Sequence, residues 1–356
     1  MGMRRRLSAL ATCLLLGACI PQVDSPRRAP PPPRYPAPSP RVQPRQPLGE
    51  RVQQLPAPRP AWEIRGAAAD AHYVAAQTWV VRPGDTLSHI ADRTGAGVTV
   101  IAAANGLTAP SYTVRAGQRL TIPPGRYHLV RAGQTGIAIA RAYGVEWSRI
   151  VAANDLAEPY VLRTGQRILI PGGTQPTSAA ERAAAFKLDI DDIITGGEPA
   201  IAANQRPAAP VETPRRALPA TVAISAPIAP PGRFLWPVEG QVVARFGAGQ
   251  SGERNDGINI AVPLGTPIRS TADGTVAYVG DAITSMGGLV IVKHGEGWTS
   301  VYGHASKLLV QRGQAVKKGQ TLALSGATGY ADRPEVHFEL RRGRGPVDPL
   351  TQLPRE

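Results

Sequence analysis

Hydrophobic and polar positions change rhythm along the chain. Short β-rich runs, Trp79-Val80-Val81 and His128-Leu129-Val130, open two stretches that close on Leu120-Thr121-Ile122 and Ile168-Leu169-Ile170. Between them the apolar positions fall at helical spacing: Leu87, Ile90, Ala91 and then Val98, Ile101, Ala102 in the first stretch, Ile139, Ala140 and then Trp147, Ile150, Val151 in the second. The pattern predicts strand, helix, helix, strand, twice over. From Phe234 onward helical periodicity nearly vanishes. Strand-like runs at Gly240 to Phe246, Gly274 to Val279, Leu289 to Lys293, Thr299 to Tyr302, Gln320 to Leu324 and Val336 to Leu340, split by turn residues, predict an antiparallel all-β domain.

The two helical stretches are copies of one unit. Val81-Arg82-Pro83-Gly84 matches Val130-Arg131-Ala132-Gly133 at an offset of 49, and Ala103-Ala104-Asn105 matches Ala152-Ala153-Asn154 at the same offset. After one deleted loop residue the offset is 48, which pairs Ala116-Gly117-Gln118-Arg119 with Thr164-Gly165-Gln166-Arg167.

Composition explains the remainder. There are 36 Pro and 38 Gly in 356 residues, and the prolines cluster. From Pro21 to Pro60 stand fourteen prolines and seven arginines, with Asp24 and Glu50 the acids. Such a segment cannot bury enough apolar surface to fold, so residues 19–76 are expected to form a disordered, semi-extended tether. A second Pro/Ala-rich linker is expected over 172–232, with a short helix possible from Ser178 to Ile194. The domains expected are therefore 78–123, 127–171 and 233–352.

With 40 Lys+Arg against 26 Asp+Glu the net charge is +14, which favours a polyanionic neighbour. The N-terminus narrows the choice. Arg4-Arg5-Arg6 followed by the apolar run from Leu7 to Gly17 reads as an export signal over 1–18, too short to span a bilayer. Export argues against nucleic acid as a partner. Leu16-Gly17-Ala18-Cys19 resembles the lipobox of bacterial lipoproteins, which implies lipidation of Cys19. Ile20 after it resembles the outer-membrane form, anchored and facing the periplasm. Both cysteines lie within the first nineteen residues, so a metal site further on must use His, Asp or Glu.

Three phrases, Val81-x-Pro83-Gly84-Asp85-Thr86-Leu87, Asn105-x-Leu107 and Gly117-Gln118-x-Leu120-x-Ile122-Pro123, resemble the LysM domain, a module that binds peptidoglycan and chitin. The resemblance implies two small α+β units of βααβ form. It also implies sugar contacts at Gly84, Asp85, Thr86, Leu87, Asn105 and Leu107 in the first copy, and at Gly133, Gln134, Thr135, Asn154 and Leu156 in the second. Gln134 replaces the usual Asp and Gly136 the usual Leu, so the second copy is expected to bind more weakly. Asn105 and Asn154 equally suit turn positions at a helix end.

The C-terminal region resembles the lysostaphin/LytM-type zinc peptidase domain, through Gly257-Ile258-Asn259-Ile260, Ala272-Asp273-Gly274-Thr275-Val276, Tyr302-Gly303-His304, Val336-His337-Phe338-Glu339 and Val347-Asp348-Pro349. Active members hold zinc through a His-x-Gly-x-Asp phrase and the second His of His-x-His, and a His in Tyr-x-His assists. Here the first phrase reads Asn255-Asp256-Gly257-Ile258-Asn259 and the last Glu335-Val336-His337, so His304 and His337 remain. A catalytic zinc takes three imidazole, carboxylate or thiolate ligands and activates a water in the fourth position. Two neutral carboxamides and one imidazole do not meet that need, so no metal, no cofactor and no peptidase activity are expected. Asp256 and Glu335 are the carboxylates that would serve a rearranged site, and Asp256 is shifted to the opposite strand face. The remaining histidines, His72, His89, His128 and His294, suit coil, surface, strand and turn positions.

Wall-binding repeats joined to a metal-stripped peptidase fold resemble the envelope lipoproteins of the degenerate LytM-factor group. That resemblance implies a regulator whose groove engages and activates an N-acetylmuramoyl-L-alanine amidase. The groove is expected to be lined by Asn255, Asn259, Tyr302, His304, Glu335 and His337, with the loop from Asp281 to Gly288. Two other classes stay open: a zinc endopeptidase, and a structural tether between outer membrane and wall.

Overall fold

The repeats take the form that their apolar spacing predicts. In the computed structural model, which describes residues 59–109, 111–172, 178–212, 218–227, 232, 234–248 and 254–355, a short helix α1 (Ala61–Ile64) and strand β1 (His72–Val74) lead in. The first repeat runs β2 (Gln77–Val80), α2 (Leu87–Thr94), α3 (Val98–Ala104), β3 (Arg119–Ile122). The second runs β4 (Gly125–Leu129), α4 (Gly136–Tyr143), α5 (Trp147–Ala153), β5 (Arg167–Ile170). β2 pairs antiparallel with β3, and β4 with β5; β1 lies on the free edge of β4. Thr86 and Thr135 cap α2 and α4 by accepting the amides of His89 and Ala138, and left-handed Gly95 and Gly144 stop the helices. The cores form around Ile90, Ile101 and Leu120 in one repeat and Ile139, Trp147 and Ile168 in the other.

The export signal, Cys19 and residues 19–58 of the expected tether lie outside the described residues. The remainder of that tether and the expected second linker differ from expectation. Two helices, α6 (Ala179–Ala185) and α7 (Ile190–Gly196), occupy the linker, each opened by a capping box, Ser178 with Glu181 and Asp189 with Asp192. Ile190, Ile193 and Ile194 stand at i, i+3 and i+4. This apolar stripe is buried against Trp62, Tyr278, Ile283, Leu289, Ile291 and Val301, which belong to the leading helix and the C-terminal domain. Trp62 stacks on Tyr278 with ring centroids 5.9 Å apart. A Pro/Ala-rich composition conceals a few well-placed isoleucines whose burial offsets the entropy of ordering the linker from 178 to 202, a strap laid between the second repeat and the C-terminal domain.

The C-terminal domain is antiparallel throughout. Its strands are β6 (Gln241–Ala244), β7 (Gly247–Ala248), β8 (Arg254–Asn255), β9 (Ile258–Ala261), β10 (Pro267–Arg269), β11 (Gly274–Gly280), β12 (Gly288–Lys293), β13 (Trp298–Leu308), β14 (Ala315–Val316), β15 (Thr321–Ser325), β16 (Glu335–Arg342) and β17 (Gly345–Val347). The main sheet runs β14-β11-β12-β13-β16-β9-β6, with β15 joining β13 to β10 and β17 on β16. β16 lies between β13 and β9 and is buried on both faces. Val336, Phe338 and Leu340 enter the apolar core with Ile258, Ile260, Val290 and Tyr302, while Glu335, His337, Glu339 and Arg341 form a polar row on the other face. Among the described residues no helix is long and apolar enough to cross a membrane.

Candidate functional site

The register of three adjacent strands assembles the polar centre. His337 on β16 stands opposite Asn259 on β9 and Gly303 on β13, so residues far apart in sequence share one row. The Asn259 carboxamide donates to Glu335 Oε1 at 2.6 Å, and its oxygen faces His337 Nδ1 at 2.9 Å. Asn255 reaches the same oxygen at 3.5 Å and accepts the Gly257 amide, which closes the turn before β9. His337 Nε2 meets Glu339 Oε1 at 3.0 Å, Glu339 holds Arg341 at 2.6 Å, and Arg341 holds Asp191 of α7 at 2.6 Å. A continuous chain of polar contacts thus runs from the turn at Asn255 to the strap helix.

His304 joins this group through backbone geometry. Strand alternation alone would put its side chain on the core side with Tyr302, but His304 has φ +62° at the register shift between β12 and β13. The irregularity turns the ring toward His337, with centroids 5.9 Å apart, and its Nδ1 contacts the Thr328 carbonyl at 2.8 Å. Burial, and then the neighbouring His337, lower its pKa. Tyr302, expected to line the groove, does not. It is 0% exposed on the opposite face of β13, its hydroxyl accepting from the Thr271 amide and the Ser300 hydroxyl, and burial pushes its pKa up to about 12. Alternation decides this, because Tyr302 faces Phe338 and not His337.

The donor set does not fit the zinc that a peptidase of this fold would hold. Both ring nitrogens of His337 are engaged by oxygen atoms, the Asn259 carboxamide supplies its NH₂ to Glu335, and Asp256 is engaged in an ion pair with Arg254. Among the described residues no cluster of three His, Cys, Asp or Glu is arranged to hold a metal ion. The amide donor of Asn259 and the guanidinium of Arg341 satisfy the row of carboxylates where a dication would otherwise stand.

His337, Glu339 and Arg341 of this row line a cleft of about 310 Å³ together with Leu188 to Asp191, Arg254 to Asp256, Ile283, Ser285 and Met286. The loop from Asp281 to Gly288 therefore contributes to the rim. Glu339, Arg341 and Asp191 were not among the residues expected there. The period-two series Glu335, His337, Glu339, Arg341 was the signal that two of them share the face of the histidine.

In the repeats the expected contact residues divide. Gly84 and Thr86 are exposed in the loop after β2. The Asp85 carboxylate accepts from the Arg82 amide at 2.9 Å and the Trp79 indole at 3.2 Å, which lowers its pKa. Gln134 repeats the staple with a different acceptor: its Oε1 meets the Arg131 amide and His128 Nε2 at 2.8 and 3.1 Å. It is thus a buried structural residue, and so is Thr135. Leu87 is a core residue, and Leu107 and Leu156 pack at the core margins. Asn105 and Asn154 take the turn role, since each side chain ties its helix end to the closing strand. Asn105 bonds Ile101 and both backbone groups of Thr121, and Asn154 bonds Ile150 and both backbone groups of Leu169. Their amides are therefore spent internally.

Comparison with known proteins matches residues 253–349 to Peptidase family M23, and residues 80–123 and 128–171 to the LysM domain. The chain is similar to the lipoprotein NlpD/LppB homolog of Pseudomonas aeruginosa, 39% identical over 267 residues that cover 67% of this chain and 80% of the relative. The murein hydrolase activator NlpD of Salmonella dublin is 30% identical over 311 residues, 87% of this chain and 77% of the relative. The cell division protein DipM of Caulobacter vibrioides is 45% identical over 130 residues, 35% of this chain and 21% of the relative.

Proposed function

The chain belongs to the NlpD/LppB family of lipoproteins, and from that premise we propose that it is a peptidoglycan-binding envelope lipoprotein that switches on a wall hydrolase by contact. The hydrolase is an N-acetylmuramoyl-L-alanine amidase, and the process it serves is the splitting of septal wall as daughter cells separate. Cys19 carries the outer-membrane anchor, the LysM repeats at 78–123 and 127–171 concentrate the protein on the wall, and the domain at 233–352 engages the enzyme.

The observation that carries this reading is the refilled metal site. Asn259, Glu335, His337 and Glu339 are linked at 2.6 to 3.0 Å, and carboxamides stand where two zinc ligands would be needed, so the row lacks the three ligands of a catalytic zinc. The fold around them is intact, so the cleft keeps its shape without the chemistry. A concave, polar-floored surface bounded by an apolar loop at Ile283 and Met286 suits capture of a partner segment. Asn255 and His337 line that cleft, and Asn259, Glu335 and His304, in contact with His337 or Asn259, are proposed to complete the partner surface.

Release of dye from labelled peptidoglycan by the purified chain, alone and with each amidase of its host, tests the proposal. The chain alone is expected to release nothing and to hold no stoichiometric zinc, and one amidase is expected to accelerate in its presence. Chelator-sensitive endopeptidase activity with one equivalent of bound zinc would restore the enzyme reading. Wall binding with no amidase accelerated would leave a structural tether.

A further inference from the structure

The two repeats share one backbone plan, yet their loops are not equally available. In the second repeat an extended segment of the chain's own strap, Glu198 to Ala202, lies between the loop after β4 and the loop before β5. The Gly133 amide donates to the Ala200 carbonyl at 3.0 Å and the Ala200 amide to the Gln134 carbonyl at 2.7 Å. On the other side the Thr164 amide donates to the Ile201 carbonyl at 2.8 Å and the Ile201 amide to the Leu162 carbonyl at 3.2 Å. Ala200 and Ile201 are buried there. At the corresponding positions of the first repeat the same backbone groups, the Gly84 and Ala116 amides and the Asp85 and Val114 carbonyls, have no backbone partner among the described residues.

The sequence differences between the copies fit the insert. Gly136 stands where the first repeat has Leu87, and a Cβ there would lie 2.7 Å from the Trp147 ring. The glycine thus makes room for Trp147, which replaces Val98, and the indole donates to Thr195 Oγ1 of the strap at 3.1 Å. Gly196 allows the strap to close on the same ring, since a Cβ there would sit 2.8 Å from it. Of the two departures that suggested a weakened sugar site, Gly136 is the one that seats the strap, through Trp147. The same segment is fastened to the C-terminal domain, where Arg341 pairs with Asp191 and Arg312 with Glu198, and where the α7 isoleucines are buried beside the cleft.

We propose that the second LysM loop pair is a receptor for the chain's own residues 198–202, that wall glycan competes with this segment for it, and that displacement lifts α7 from the rim of the C-terminal cleft. The proposal rests on the reading that the LysM repeats take wall glycan. A strap occupying the groove lowers the apparent glycan affinity of that copy by the fraction of molecules in which it is open. The first copy is then the strong site and the second a gated one.

The test titrates the full chain with soluble, peptide-free strands of N-acetylglucosamine and N-acetylmuramic acid, by calorimetry and by hydrogen exchange. The wild-type chain is expected to show one strong site and a second at least tenfold weaker, with amide exchange over 190–201 rising as the weak site fills. Ala200→Pro, which removes the amide given to Gln134, and a variant with 198–202 replaced by an equally long Gly-Ser stretch should show two sites of similar strength and fast exchange over 190–196 without glycan. Retained protection at Ile139 and Ile150 verifies the second repeat's fold, and the wild-type exchange measurement needs no variant. Two equal sites in the wild type, a second site that fills with exchange over 190–201 unchanged, or one site in wild type and folded variants alike would overturn the proposal. Absence of glycan binding in every form would instead overturn the LysM reading, and this inference with it.

Discussion

Arg341→Ala removes the central cation from the chain Asp191–Arg341–Glu339–His337 that links the strap to the cleft floor. The Arg341 side chain is 4% exposed and that of Glu339 1%, so truncation leaves a carboxylate sealed from water with His337 as its remaining partner. Breaking a buried pair from one side costs about 3–5 kcal/mol, because the surviving charge keeps its desolvation penalty. Asp191 is partly exposed and its loss of a partner adds at most about 1 kcal/mol. With a urea dependence of about 2 kcal/mol per molar, the midpoint of unfolding should fall by about 2 M. Combining Arg341→Met with Glu339→Gln removes both charges at similar volume and leaves an amide oxygen for His337. That double variant should return to within about 1–2 kcal/mol of wild type. Urea unfolding of the full chain, followed by near-UV circular dichroism, measures both. A single variant losing under about 1 kcal/mol, or a double variant as damaged as the single, would refute the claim that this row is a mutually satisfied buried network.

Burial, and then the charge of Asp189, push the Asp192 carboxyl up to about 7. A pKa raised above its unfolded value near 4 means that its share of stability is full below about pH 4 and is lost as pH rises through about 7. Asp192→Asn should therefore match wild type at pH 4 and exceed it at pH 8 by on the order of a few kcal/mol in chemical unfolding; equal stability at both pH values would contradict this. Gly136→Leu, which restores the residue usual for the repeat, should cost about 1–3 kcal/mol by colliding with Trp147, read as a lower unfolding midpoint of the second repeat. Asn105→Ala should cost about 2–3 kcal/mol through its lost bonds to Ile101 and Thr121, while pelleting of the still-folded chain with peptidoglycan changes little. A large loss of wall binding at full helicity would return Asn105 to the glycan surface.

Local pattern was enough for everything built from near neighbours. The offset of 49 between the repeats, the helical spacing of apolar positions within them and the short strand-like runs of the C-terminal domain each express a short-range rule, so the βααβ units and the antiparallel strands were legible without coordinates. Loss of the zinc ligands was equally plain, since it depends on residue identity at Asn255, Asn259 and Glu335. Tertiary structure decided what depends on pairing across distance. Asn259 and Glu335 meet because β9 and β16 are neighbours in register, Tyr302 leaves the site because it stands opposite Phe338, and His304 enters it because one residue of β13 takes a positive φ. The side chains of Asn105, Asn154 and Gln134 are spent on internal bonds for a related reason. The chemistry that suits a polar ligand also suits a buried backbone group, and only the fold shows which of the two stands nearby. The strap was the hardest part to see. Its alanines and prolines resemble an unstructured linker, and what orders it is an apolar face on another domain and an open pair of loops on a repeat, neither of which is encoded within the strap itself.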